Sequence, residues 1–171
     1  NQIIIEKGIT KPSEILTRLN SGIKKSLKQK NYNAETGDGM DIALASIDFN
    51  NYKIQFAGAC RPMYLIRNSS LQEIKGDKMS IGGATPEGYE FTNHELSLQL
   101  GDSIYLFSDG FADQFGGEQG KKMMTKNLKN LFLSVQDKDM KTQKNILEET
   151  FALWKGDLEQ VDDILLIGIR V

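Results

Sequence analysis

The sequence predicts an α+β fold built on mainly antiparallel sheet, and three observations carry that prediction. Between Met40 and Leu98, short alternating apolar stretches are separated by turn residues, the pattern of a meander rather than of a doubly wound parallel sheet. After Gly117, two segments switch to three- and four-residue apolar spacing, the period of amphipathic helices. Two apolar strands, Ile104–Phe107 and Ile164–Val171, carry carboxylates where one ends and the other begins.

The composition bounds the class of protein. A chain of 171 residues with 39% hydrophobic and 26% charged residues is long and apolar enough for one globular domain, residues 1–171, with a sizeable core. A net charge of -2, from 21 basic and 23 acidic residues, argues against a dedicated nucleic-acid binder. The lone Cys60 excludes an internal disulfide and fits the reducing cytoplasm. No apolar run reaches membrane-spanning length, and no signal peptide is visible. The first residue is Asn1 rather than methionine, so a fragment of a longer chain is expected.

Taken in order, Asn1–Lys7 followed by Gly8 reads as the tail of a helix with a glycine C-cap. Thr10-Lys11-Pro12-Ser13-Glu14 reads as a helix start, with a capping hydroxyl, proline in the first turn and an early acid. Leu16, Leu19, Ile23 and Leu27 then form its apolar face, with Lys24, Lys25, Lys28 and Lys30 mostly turned to solvent. Residues 31–39 read as a polar loop. Met40–Phe49 and Tyr52–Ala57 are expected to form a hairpin through Asn50-Asn51. Met63–Arg67 reads as a third strand and turns at Asn68–Ser70 into Leu71–Lys75. From there to Gly88 the glycines predict a mobile loop, and Phe91–Leu98 resumes the alternation. In the later helices, Met123, Met124, Leu128, Leu131, Phe132 and Val135 predict one buried face. Ile146, Leu147, Thr150, Phe151 and Trp154 predict the other, which Gly156 ends. His94, alone in mid-strand, reads as structural or exposed, and Cys60 as a small buried hydrophobe.

The stretch Ser103–Gly110 organises the functional reading. An apolar strand core runs into Asp109 and then Gly110, where the backbone can turn sharply. Asp-Gly alone is a common hairpin turn, but Val161-Asp162-Asp163 opens the second apolar strand. If the two strands pair antiparallel, Asp109 and Asp162 meet at one sheet rim. There they repel unless a cation lies between them. Carboxylate oxygens select a hard ion such as Mg²⁺ or Mn²⁺.

These residues resemble a known family. Asp38-Gly-Met-Asp41, Ala57-Gly-Ala59 with Pro62 and Leu65-Ile-Arg67, Gly101-Asp102, Ser108-Asp109-Gly110 through Gly117, Trp154-Lys-Gly156 and Gln160-Val-Asp162-Asp163 look, in matching order, like the SpoIIE-type branch of the metal-dependent protein phosphatases (PPM). The resemblance implies an antiparallel β-sandwich flanked by helices. It implies removal of phosphate from phosphoserine or phosphothreonine on a regulatory phosphoprotein such as an anti-sigma-factor antagonist, and two Mn²⁺ or Mg²⁺ ions. Asp109 matches one metal ligand and Gly110 the supporting turn. Asp162 matches another ligand with Asp163 beside it, the register between them open. No side-chain nucleophile is needed when the ions activate water.

The family's first motif, an aspartate bridging both ions, matches nothing here, since Asp38-Gly39 falls in a loop. The chain is therefore expected to be the C-terminal part of such a domain, to lack its first strand or strands, and to be nearly inactive alone. A sensor or receiver domain upstream and a homodimer through an exposed sheet edge are further expectations. Two other readings stand beside the enzyme: a non-catalytic phosphatase-like signalling or binding module, and a purely structural sandwich with Asp109 and Asp162 as ordinary strand-end residues.

Overall fold

Residues 8–27 and 39–171 are described by a computed structural model. The elements in chain order are α1 (Pro12–Ser26), β1 (Gly39–Met40), β2 (Ile42–Asp48), β3 (Lys53–Ala59), β4 (Met63–Arg67), β5 (Ser70–Ile74), β6 (Ile81–Gly82) and β7 (His94–Ser97). They continue with β8 (Ser103–Phe107), α2 (Gly110–Asp113), β9 (Phe115–Gly116), β10 (Lys121–Lys122), α3 (Met124–Val135), α4 (Met140–Lys155) and β11 (Leu166–Arg170). The α+β expectation holds, with antiparallel pairing throughout the registers β2–β3, β3–β7 and β8–β11. The chain divides into two compact units, one ending at Met63 and resuming over Ile74–Gln99, the other formed by Tyr64–Glu73 with Leu100–Val171.

In the first unit, β2 and β3 form the expected hairpin, with Asp48 opposite Lys53. Asp48 accepts hydrogen bonds from the Asn50 and Asn51 amides, closing the turn through its side chain. Strand β7 adds to β3, giving the order β2-β3-β7. Leu16 of α1 packs with Ala57, Ala59, Ile81 and Phe91, and Leu19 and Ile23 cover that cluster. Leu27 lies past the helix end and is exposed, so the apolar face of α1 is one turn shorter than its spacing predicts. Lys11 rather than Thr10 occupies the N-cap, without a side-chain cap bond, while Pro12 and Glu14 sit in the first turn as expected.

The glycine-rich segment from Gly76 to Gly88 differs from the mobile loop its composition predicts. Ile81 and Gly82 form β6 against β1, and Ile81 is fully buried. Asn20, buried on α1, accepts from the Gly82 amide and donates to the Pro86 carbonyl. Lys24 donates to the Gly83 and Thr85 carbonyls instead of facing solvent. Cys60 is also corrected: it is exposed, with a φ of 58°. His94, half-buried on β7, has its ring centroid 6.0 Å from that of Phe56. The expected helix tail Asn1–Lys7, together with Lys28, Lys30 and residues 31–38 including Asp38, lies outside the described residues. Gly8 itself has the left-handed φ, 62°, that a glycine C-cap uses.

The second unit holds the sheet β11-β8-β4-β5. Tyr64, Ile66, Tyr105 and Phe107 pack against Leu128 and Phe132 of α3 and Leu147 of α4. Tyr105 stacks on Phe132 at 4.3 Å between centroids. Met124, expected in the buried face, is exposed at the helix start, whereas Met123 is buried. Arg170 on β11 donates to the Gln136 and Lys138 carbonyls and to Ser103 Oγ, fastening the α3–α4 connection to β8 and β11. No helix among the described residues is long and apolar enough to cross a membrane.

Candidate active site

The pairing that the sequence predicted between its two carboxylate-bearing strands is present. Strands β8 and β11 run antiparallel, with Leu166 opposite Phe107. Beyond that last pair the contact continues through Ser108. Its amide donates to the Leu165 carbonyl at 2.9 Å, and its hydroxyl donates to the Asp163 carbonyl at 2.8 Å while accepting from the Leu165 amide at 3.0 Å. One serine side chain thus replaces a rung of sheet at the point where both strands stop. The Ser108-Asp109-Gly110 segment is held alongside Asp162-Asp163.

Gly110 serves this approach in a way the sequence did not suggest. It is not a left-handed turn but the first residue of the one-turn helix α2, for which half-buried Asp109 is the N-cap without a side-chain cap bond. A Cβ at position 110 would lie 2.5 Å from the Asp163 carbonyl oxygen and 3.1 Å from its carbon. Glycine is required by proximity rather than by φ.

Asp162 and Asp163 are exposed on the loop before β11. Asp162 Oδ1 accepts from the Asp163 amide at 2.7 Å, and its carbonyl accepts from Gln160 Nε2 at 2.8 Å. The loop is also held at its far side by Gln114, the C-cap of α2, whose side chain is fully buried. Gln114 Nε2 donates to the Glu159 carbonyl at 2.9 Å and to the Phe115 carbonyl at 3.0 Å, and Oε1 accepts from the Val161 amide at 3.3 Å. The Gln114 carbonyl in turn accepts from the Trp154 indole at 3.0 Å. Trp154 closes on the β9 hairpin so tightly that a Cβ at Gly116 would fall 1.8 Å from its carbonyl oxygen.

Sequence reasoning missed α2, the β9–β10 hairpin and the role of Gln114. A glutamine between Asp113 and Phe115 carries no local signal of burial, because two of its side-chain partners, Glu159 and Val161, lie more than forty residues away along the chain.

The donor chemistry suits a hard divalent cation. Carboxylate oxygens stand on two backbone segments tied at fixed separation, and Mg²⁺ commonly uses one or two carboxylates, completing its shell with water and substrate phosphate. Among the described residues, no group of three or more His, Cys, Asp and Glu side chains is arranged to hold a metal by itself. A cleft of about 570 Å³ beside α4 and β11 is lined largely by apolar residues, among them Phe111, Leu147, Phe151 and Ile164. None of the three aspartates is in that lining, so the cleft is not the place where the carboxylates come together.

Comparison with known proteins agrees with this topology. Residues 2–171 match the family described as Stage II sporulation protein E (SpoIIE). No curated protein matches the chain. The SiaA-PP2C domain of Pseudomonas aeruginosa superposes with a TM-score of 0.86 at 26% identity, over 99% of this chain and 65% of that one. This chain therefore spans just under two thirds of that relative's length. The RsbU and RsbW domains of a Mycobacterium tuberculosis protein give a TM-score of 0.66 at 20% identity, covering 99% of this chain and 44% of that one. The Mn-presoaked phosphatase domain of the cell fate determinant SpoIIE from Bacillus subtilis gives 0.60 at 16% identity, covering 99% and 70%. At those lower identities the likeness is one of fold.

Proposed function

Since the chain belongs to the SpoIIE family, we propose that it forms part of a protein phosphatase domain that removes phosphate from phosphoserine or phosphothreonine in a regulatory protein, such as an anti-sigma-factor antagonist. The observation that carries this reading is the Ser108 hydroxyl, which binds the loop of Asp162 and Asp163 beside Asp109. Asp109 and Asp162, with Asp163 adjacent, would hold Mn²⁺ or Mg²⁺. Such an ion supplies Lewis-acid activation of water and neutralises phosphoryl oxygens. The chain's own part is to set the separation of the carboxylates through Ser108 and Gly110 and to orient them before substrate arrives. The lone Cys60 supports a cytoplasmic setting for this activity.

The test uses the full-length protein, assayed for phosphate release from a phosphoserine protein with and without Mn²⁺. Asp109→Asn should lower the Mn²⁺-dependent rate by more than about 100-fold, beyond the usual cost of changes outside the ligand shell. Full activity in that variant would remove the metal role of Asp109. A non-catalytic phosphatase-like module is the second reading, favoured by the lack of a three-residue metal cluster among the described residues. Absence of Mn²⁺-dependent turnover in the unaltered full-length protein would select it.

A further inference from the structure

We infer that Gln114 is a positioning residue for the carboxylates, setting the loop that carries Asp162 before any metal binds. This rests on the reading of Asp109 and Asp162 as metal ligands. Gln114 is fully buried, and both its N–H groups and its carbonyl oxygen are engaged, so it is not a filler of the core. Its orientation is dictated by its partners, because two carbonyls need a donor and one amide needs an acceptor.

The placement of those partners gives the residue its role. Gln114 holds Glu159 and Val161, and Ser108 holds Asp163 and Leu165. Asp162 is the residue between the two clasps. Asp109 occupies the matching position on the other segment, with Ser108 before it and Gln114 joined to it by the single turn of α2, where Gly110, Phe111 and Ala112 are buried. Helix α2 therefore acts as a short rigid spacer with a hydrogen-bonding clasp at each end. A fully satisfied buried polar group of this kind specifies one geometry, whereas an apolar replacement leaves the loop free to shift. Groups that orient metal ligands typically carry 10- to 100-fold in affinity or activity.

The experiment uses the full-length protein and Mn²⁺ alone as the binding probe. In metal-free wild type, hydrogen exchange should already find the Val161 amide protected, since Gln114 rather than the ion holds it. Gln114→Met, close in shape but without hydrogen bonds, should expose that amide and weaken calorimetric Mn²⁺ binding by about 10- to 100-fold. Arg170→Met, which loosens the α3–α4 connection instead, is the control: at a comparable loss of thermal stability its Mn²⁺ affinity should stay that of wild type. Wild-type affinity in Gln114→Met, or equal weakening in the control, overturns the inference while leaving the metal reading intact. If wild type itself binds no Mn²⁺, the metal reading fails and the inference with it. Should Gln114→Met not fold, Gln114→Asn, one methylene too short for both partners, meets the same criterion. An unprotected Val161 amide in metal-free wild type overturns the inference without any variant.

Discussion

Ser108 donates its hydroxyl hydrogen to the Asp163 carbonyl at 2.8 Å. The same oxygen accepts the Leu165 amide at 3.0 Å, so a single side chain carries sheet-like pairing past the last residues of β8 and β11. Ser108→Ala should therefore cost about 1–2 kcal/mol of stability, the scale of one to two net hydrogen bonds. It should also lower Mn²⁺-dependent phosphate release more than an equally destabilising change elsewhere. Urea unfolding measures the first effect and a Mn²⁺ titration of activity the second. An unaltered titration would show that the loop keeps its place without the serine.

Gly110→Ala tests proximity directly. The added methyl would stand 2.5 Å from the Asp163 oxygen, a contact with backbone that no side-chain rotation relieves. Separation of the two segments should cost roughly 1–3 kcal/mol, as overpacking does. The apparent Mn²⁺ affinity of the full-length protein should fall by at least about tenfold, the lower scale for displaced metal-orienting groups. Ala at Gly120, where nothing stands within 4 Å of a new Cβ, meets only the strain of its positive φ and should leave Mn²⁺ affinity alone.

Asp102 is 1% exposed and receives two bonds from Arg67, at 2.8 and 2.6 Å. The guanidinium pKa is raised chiefly by its hydrogen bonds to Asp102, an effect that burial partly opposes and to which the charge of that carboxylate adds the smallest share. Removing the carboxylate leaves Arg67 partly buried without its main partner. Asp102→Ala should thus cost roughly 3 kcal/mol, the low end for breaking a buried pair, because Arg67 retains 31% exposure. Replacing both partners with apolar residues should recover part of that loss. A double-mutant cycle in urea checks both statements.

Asp139 caps α4, accepting from the Thr142 amide at 2.9 Å and from the Thr142 hydroxyl at 2.6 Å. These bonds, the hydroxyl's first, hold its carboxyl below the ordinary aspartate value of 3.8. A depressed folded-state pKa means that the stabilisation is present above 3.8 and is lost as pH falls through the lower folded value. Asp139→Ala should therefore lower Tm at neutral pH, and the gap to wild type should narrow in acid below 3.8. A gap that stays constant across that range would assign the effect to something other than the carboxylate.

Much of this protein was determined by local sequence. Alternation marked β2, β3 and β4, and three- and four-residue spacing marked α1, α3 and α4, because side chains that must share one apolar face repeat at the period of the backbone that carries them. The antiparallel meeting of β8 with β11 was legible too, since an apolar strand ending at a carboxylate and another beginning with two have few ways to pair in an antiparallel sheet. Tertiary structure alone decided what those carboxylates stand on. Gln114 meets Glu159 and Val161, Ser108 meets Asp163 and Leu165, and Asn20 and Lys24 meet the Gly82–Pro86 segment. In each case a polar side chain in an unremarkable local setting is matched to backbone groups tens of residues away. A backbone donor or acceptor has the same chemistry at every position, so nothing in the residue names at either end says which will meet. Only the packing of apolar faces around them brings the two together, and burial then makes the bond obligatory.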